Sequence, residues 1–272
     1  MRYVFVLFSM IILFTDCQGG AQVQTPAISV FDTELVAEID KLIQILAAQD
    51  RFSGALLLAR DGPPIFKQAY GQANKAFHVP NRVDTKFAIH SMNKMFTGVA
   101  VMQLVEQGKL SLEAPLAEYL PDFSDQNTAK KIRIKHLLTH SSGLGSFIND
   151  DFFTASRSGL RTIDDMMAFA RGDAVKFEPG TQWAYSQTGF LVLGKVIEIV
   201  TGASYYDYVR EHIFTPAGMT NTDNYQLDLV TPDLAVGYDR ETTDNGVVYR
   251  KNLFRYLLRG SSAAGAYSTR KS

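Results

Sequence analysis

The sequence predicts a mixed α/β fold of the α+β kind, an antiparallel sheet flanked by helices and joined to a mostly helical subdomain. Three observations carry that prediction. An amphipathic segment at 33–49 is followed by two short apolar runs, 53–60 and 65–70, around Asp61-Gly62-Pro63-Pro64. Helical spacing then dominates from Ser91 to about Asp223, and a second pair of extended runs, 236–240 and 247–251, flanks Asp244-Asn245-Gly246. A helix followed by a hairpin starts a sheet, and Asn-Gly between extended runs is a strong hairpin signal.

In the first segment Leu35, Val36, Ile39, Leu42, Ile43 and Leu46 recur at steps of three and four among charges, the pattern of a helix with one face toward a core. Met92, Met95, Phe96, Val99, Met102 and Val105 repeat the spacing, with Gly108 closing the run. This predicts a buried helix of about four turns that opens at Ser91 and ends on a glycine cap. A further helix is predicted from Thr188 through Leu191, Leu193, Val196, Ile197 and Val200 to Gly202. Loops are predicted at 115–127 and 141–151.

At 272 residues and 46% hydrophobic content, the chain is long enough for one large core. A net charge of -1 without long runs of either sign gives no electrostatic footprint for nucleic acid or an anionic membrane. Arg2, an apolar stretch from Tyr3 to Phe14 and Gly19-Gly20-Ala21 have the layout of a secretory signal, with cleavage after Ala21 and a mature domain at 22–272. The stretch is too short to span a bilayer comfortably. The expected location is periplasmic or extracellular. Cys17 offers a lipid-attachment alternative, which Asp16 disfavours. If cleavage follows Ala21, no cysteine remains, which excludes thiol catalysis and a Cys-ligated metal.

Ser91 and Lys94 are one helical turn apart, so an amine can lie beside a hydroxyl. A serine is a poor nucleophile until a base takes its proton, and a lysine kept neutral by burial or positive potential can serve. The spacing alone is weak, because Ser268 and Lys271 repeat it with no helix to follow. The setting gives it weight: a lysine in the first turn of a buried helix is costly unless it has a task. His136 and His140 share the spacing of a zinc-binding helix, but Leu137 stands where the glutamate base belongs, so a helix end is the preferred reading and no metal is predicted. Gly260 to Ala264 lacks the strand and helix of a nucleophile elbow.

Taken together, these motifs resemble the serine β-lactamase and penicillin-binding protein family, in particular its class C and esterase-like branch. The matching residues are Gly71, Asn74, Pro80, Thr85 and Phe87 leading into Ser91-Met92-Asn93-Lys94, then Ile134 to Leu144, Tyr185-Ser186-Gln187 and Gly189 to Gly194, over about 36–269. The resemblance implies an acyl-enzyme mechanism on an amide, β-lactam or ester, with no cofactor and a small-molecule or peptide substrate. Ser91 would be the nucleophile, Lys94 its assistant and Tyr185 the third proton carrier; Gln187 stands at a substrate-binding position where the family most often has Asn.

The family's third motif, Lys-Thr-Gly or His-x-Gly on a strand lining the pocket, has no counterpart here. The resemblance therefore implies a chain truncated before its C-terminal strands, an incomplete sheet and half an oxyanion hole. The alternative is a catalytically inactive fragment that binds peptidoglycan peptides or a partner.

Overall fold

The computed structural model describes residues 30–269 except 122, 124, 125, 172–174 and 254–256. The predicted signal segment, Cys17 and the last three residues lie outside the described residues.

The predicted opening is present. Helix α1, Val30–Ala48, turns Leu35, Val36, Ile39, Ile43 and Leu46 partly inward and leaves Leu42 exposed. Strands β1, Gly54–Ala59, and β2, Pro64–Tyr70, form an antiparallel hairpin in register from Gly54↔Tyr70 to Ala59↔Pro64. Tyr70 donates to Asp40 Oδ1 at 2.6 Å and Arg60 pairs with the buried Asp32 at 2.7 Å, which ties the helix to the hairpin. Two short strands, β3 Gln72–Asn74 and β4 Val79–Pro80, pair next.

Strand β5, Phe87–His90, runs into helix α2, Asn93–Glu106, whose end is closed by Gly108 at a positive φ of 68°. The helix thus opens at Asn93, two residues after the predicted start, and Ser91 sits in the turn between strand and helix with its carbonyl accepting the Lys94 N–H at 3.1 Å. The helical region follows as α3 Gln126–Lys131, α4 Ile134–Leu138, α5 Asp150–Thr154, α6 Ile163–Ala170, α7 Gln187–Thr201 and α8 Tyr205–Val209, with a wide turn at Arg210–Phe214. Strands β6 Tyr238–Thr243 and β7 Gly246–Lys251 make the second predicted hairpin, closed by the two residues Asp244 and Asn245. Strand β8, Ala266–Ser268, pairs antiparallel with β5 and places the end of the described chain beside the serine turn.

Among the described residues every sheet has two strands, so the sheet is incomplete, as expected. The core is helical. Helix α7 sits at its centre with Leu191, Leu193, Val196 and Ile197 fully buried, packed by Ala100, Val101 and Leu104 of α2, Leu137 of α4, Ile163 and Met166 of α6, and Tyr205 and Val209 of α8. Each such aliphatic side chain contributes about 1.5–3 kcal/mol of burial. No single described helix is long and apolar enough to cross a membrane.

Helix α2 corrects the prediction on one point: its inward face is not the one that periodicity selected. Met92, Met95, Val99 and Met102 lie outward, the last three at 53%, 45% and 48% exposure. Asn93, Thr97, Ala100, Val101 and Leu104 lie inward instead, while Phe96 is buried as predicted. The helix is apolar on nearly every side, so hydrophobic spacing cannot choose a face. Hydrogen bonding chooses it, because buried polar groups need partners.

Those partners are four successive carbonyls. Tyr206 OH donates to Gly260 O at 2.8 Å, Asn93 Nδ2 to Ser261 O at 2.6 Å, Thr97 Oγ1 to Ser262 O at 2.7 Å and Lys94 Nζ to Ala263 O at 2.6 Å. With its proton given to Ser262, Thr97 Oγ1 accepts from Tyr205 OH at 2.8 Å, and burial pushes that phenol's pKa up and keeps it a neutral donor. Helix α7 makes room at Gly194, where a Cβ would stand 2.2 Å from Ser262 Oγ.

Thr97→Val keeps the shape but leaves the Tyr205 hydroxyl and the Ser262 carbonyl without this partner. Stability should fall by about 1–3 kcal/mol in urea denaturation; a change within about 0.5 kcal/mol would mean that the carbonyl row contributes little.

Candidate active site

The site is built where β5, α2, α7 and the 260–265 segment meet. Ser91 is exposed at the end of β5, whereas Lys94, one turn on, is buried at 8% exposure. Its ammonium lies 2.6 Å from Ala263 O, 2.8 Å from Gln187 Oε1 and 3.5 Å from Ser91 Oγ. A lysine ammonium has three protons to give, and the two shorter contacts use two of them.

Tyr185 comes from the segment leading into α7. Its hydroxyl lies 2.9 Å from Ser91 Oγ, and its ring centroid is 4.8 Å from Lys94 Nζ. Ser186 caps α7, accepting the Gly189 N–H at 2.8 Å while donating to Gly145 O at 3.0 Å. Helix geometry then aims Gln187, the first residue of α7, at Lys94. The longer amide that stands in place of Asn thus reaches the lysine. Tyr185 is 47% exposed and takes no part in the core.

The electrostatics follow from these contacts. Burial holds the Lys94 pKa below the ordinary lysine value, while the hydrogen bond and charge of Tyr185 pull it back up. For Tyr185 burial acts upward, but its hydrogen bonds to Lys94 and Ser91, and the lysine's charge, together bring the phenol below its ordinary value. The pair therefore shares a proton more evenly than either group would alone.

Two contributors escaped the sequence reading. His140 takes a left-handed backbone at φ 57°, accepts the Ser186 N–H on Nδ1 at 3.1 Å and lays its ring against Tyr185 at 4.6 Å between centroids. Burial and the nearby Lys94 charge lower its pKa, in keeping with a neutral acceptor. His136 serves elsewhere, accepting the Arg133 N–H at the start of α4. The two rings thus make separate backbone contacts, and among the described residues no three His, Cys, Asp or Glu gather as metal ligands.

The other missed contributor is the segment Gly260-Ser261-Ser262-Ala263-Ala264. As sequence it reads as a failed nucleophile elbow; Ser261 and Ser262 are fully buried, and its function is to offer carbonyls. No residue type signals that role, because a backbone oxygen is common to all.

A model of the family described as Beta-lactamase matches residues 39–271. The chain belongs to the beta-lactamase family. A Bacillus subtilis chain named as the penicillin-binding protein PbpX is 33% identical over 74% of this chain and 49% of its own length. The chain thus spans about half the length of that curated relative. Among solved structures, the penicillin binding protein from Bacillus halodurans matches with a TM-score of 0.75 and 32% identity, covering 85% of this chain and 69% of that one. The D-amino acid amidase from Ochrobactrum anthropi, in complex with L-phenylalanine amide, matches with a TM-score of 0.73 and 27% identity, covering 87% and 67%. The expected α+β fold and family are thereby established.

Gln187→Leu removes one of the two close acceptors of Lys94. An unsatisfied buried donor costs about 1–3 kcal/mol, so serine acylation should slow by about tenfold to a hundredfold in a labelling time course. An unchanged rate would show that the amide does not support the lysine.

Proposed function

We propose that this chain is a serine hydrolase that works through an acyl-enzyme on Ser91, acting on an amide, β-lactam or ester carbonyl. One observation carries the reading: a phenol hydroxyl stands 2.9 Å from an exposed serine Oγ beside a buried lysine held by two close acceptors. A general base must come within about 2.6–3.2 Å of the proton it takes. Tyr185 meets that reach and Lys94, at 3.5 Å, lies outside it. The base is therefore the Tyr185 phenolate, and Lys94 acts as the cation that makes the phenolate available. This reverses the order in which the Ser-x-x-Lys spacing alone ranks them.

In the first step Ser91 gives its proton to Tyr185 as its oxygen adds to the substrate carbonyl. The phenol then passes that proton to the departing amine or alcohol, leaving an acyl ester on Ser91. In the second step Tyr185 takes a proton from water, hydroxide equivalent adds to the ester, and the proton returns to Ser91 as the acid leaves. Gln187 and Ala263 hold the lysine in place throughout. The backbone N–H of Ser91 is one candidate donor to the developing oxyanion, and removing such a donor typically costs a hundredfold or more. The layout of residues 1–21 supports export, which would carry the reaction to the periplasm or outside the cell.

A fluorescent penicillin or an acyl phosphonate tests the reading directly. Labelling should appear on the whole chain and vanish in Ser91→Ala, and Tyr185→Phe should slow it by about 10²–10⁴-fold. Well-folded protein that takes no label from either reagent would favour the inactive, peptide-binding alternative.

The pH dependence has a worked sign. Acylation should rise as Tyr185 ionises, with a midpoint below the ordinary phenol value, and fall as Lys94 loses its charge, with a midpoint below the ordinary lysine value. A rate that stays flat across both midpoints would count against the phenolate as base.

A further inference from the structure

Strand β1 has a neighbour on one side only. Among the described residues it pairs with β2, and no backbone hydrogen bond from any other element reaches 54–59. An open edge of this kind presents a row of N–H and C=O groups spaced for another strand. Folded chains blunt such edges with proline, lysine or other charge, and the two strands of this hairpin differ in that respect. Strand β2 carries Pro64 and the exposed Lys67. Strand β1, Gly54-Ala55-Leu56-Leu57-Leu58-Ala59, carries neither, and its Leu57 is 39% exposed.

The ends of β1 select what fits the edge. From Phe52 to Ala59 no residue is charged, while Arg51 stands before the strand and Asp61 after it, both exposed. Among the described residues Arg51 meets the Gln49 side chain at 3.4 Å, and neither Arg51 nor Asp61 forms an ion pair. A strand with a positive start, a neutral middle and a negative end is complementary to itself run antiparallel. Backbone groups that face a partner alternate along a strand, so two copies of one edge pair about a residue and not about a peptide bond. The middle of β1 offers Leu56 or Leu57 as that residue. Only Leu56 sets position 51 of one copy opposite position 61 of the other.

We propose that β1 is a self-association edge: two copies of this chain pair antiparallel through β1 about Leu56, joining their hairpins into one continuous sheet with Arg51 of each copy opposite Asp61 of the other. The arrangement closes on itself. Each copy covers the open edge of the other, and the guarded β2 strands are left at the outside, so growth stops at two. The contact is a strand of six residues, well short of a permanent interface, so the dimer forms and dissociates with concentration. None of these residues belongs to the site around Ser91, and the inference stands apart from the proposed reaction.

Sedimentation velocity of the whole chain over a wide concentration range reads the association, which should run from monomer to dimer and stop there. Arg51→Asp alone, or Asp61→Arg alone, sets like charges opposite each other twice per dimer and should weaken association by about five- to tenfold. The double variant, Arg51→Asp with Asp61→Arg, should restore it. Positions 51 and 61 of one chain lie at opposite ends of β1, so that rescue can arise only between copies. In a Cys17→Ser background, Leu56→Cys should form an intermolecular disulfide at least about tenfold faster than Val230→Cys, which at 99% exposure reports random collision. A chain that stays monomeric throughout, an association that the single reversals leave unmoved, or a loss that the double variant does not recover would overturn the pairing.

Discussion

Four consecutive backbone carbonyls, Gly260 to Ala263, each accept a hydrogen bond from a side chain on α2 or α8, and the arrangement of the site depends on that row. Three of the donors, Asn93, Lys94 and Thr97, lie on α2 within five residues of each other, so one short bent segment of chain is held by the first turns of one helix. Buried N–H and O–H donors would each be costly alone, and matched to carbonyls the Asn93 amide N–H, the Lys94 ammonium and the Thr97 hydroxyl find partners, although Asn93 Oδ1 has none. The row turns the polar face of α2 inward against apolar expectation and holds the 260–265 segment beneath it. It also brings β8 to β5, so the strand that leads to the serine has a neighbour.

The same row sets the electrostatics. Ala263 and Gln187 together fix two protons of the Lys94 ammonium and aim the third at Ser91. A charge so held beside a phenol favours the phenolate, while burial opposes keeping the lysine charged at all. The balance of these two effects leaves both groups with lowered pKa values. His140 adds a neutral ring against Tyr185 and a hydrogen bond to the next backbone amide, which narrows the positions the phenol can take.

Much of this was legible in the residues, and the limits have physical causes. Helices α1 and α7 and both hairpins follow spacing and turn chemistry, because α1 keeps its apolar residues to one face, α7 is a long apolar run stopped by Gly202, and the hairpin turns carry glycine. The inward face of α2 was illegible, since Met95, Val99 and Met102 are as apolar as the residues that are buried. Ser91, Lys94 and Tyr185 were identified in advance, by spacing and by resemblance, and the structure brings all three together with Gln187. The supporting carbonyls were not, because backbone atoms leave no mark on a sequence. Nor was His140, whose partner Ser186 lies 46 residues along the chain and is paired by folding alone.

The central claim is that the buried Lys94 charge draws the Tyr185 phenol toward its anion. Ring-labelled tyrosine NMR, with the Tyr185 signal assigned by its loss in Tyr185→Phe, measures that ionisation without any substrate. In the unaltered protein the signal should titrate below the ordinary phenol value of about 10. In Lys94→Met the downward pull of the lysine is gone while burial remains, so the midpoint should move upward, past that value. A Tyr185 midpoint that is the same with and without the lysine charge would contradict the account.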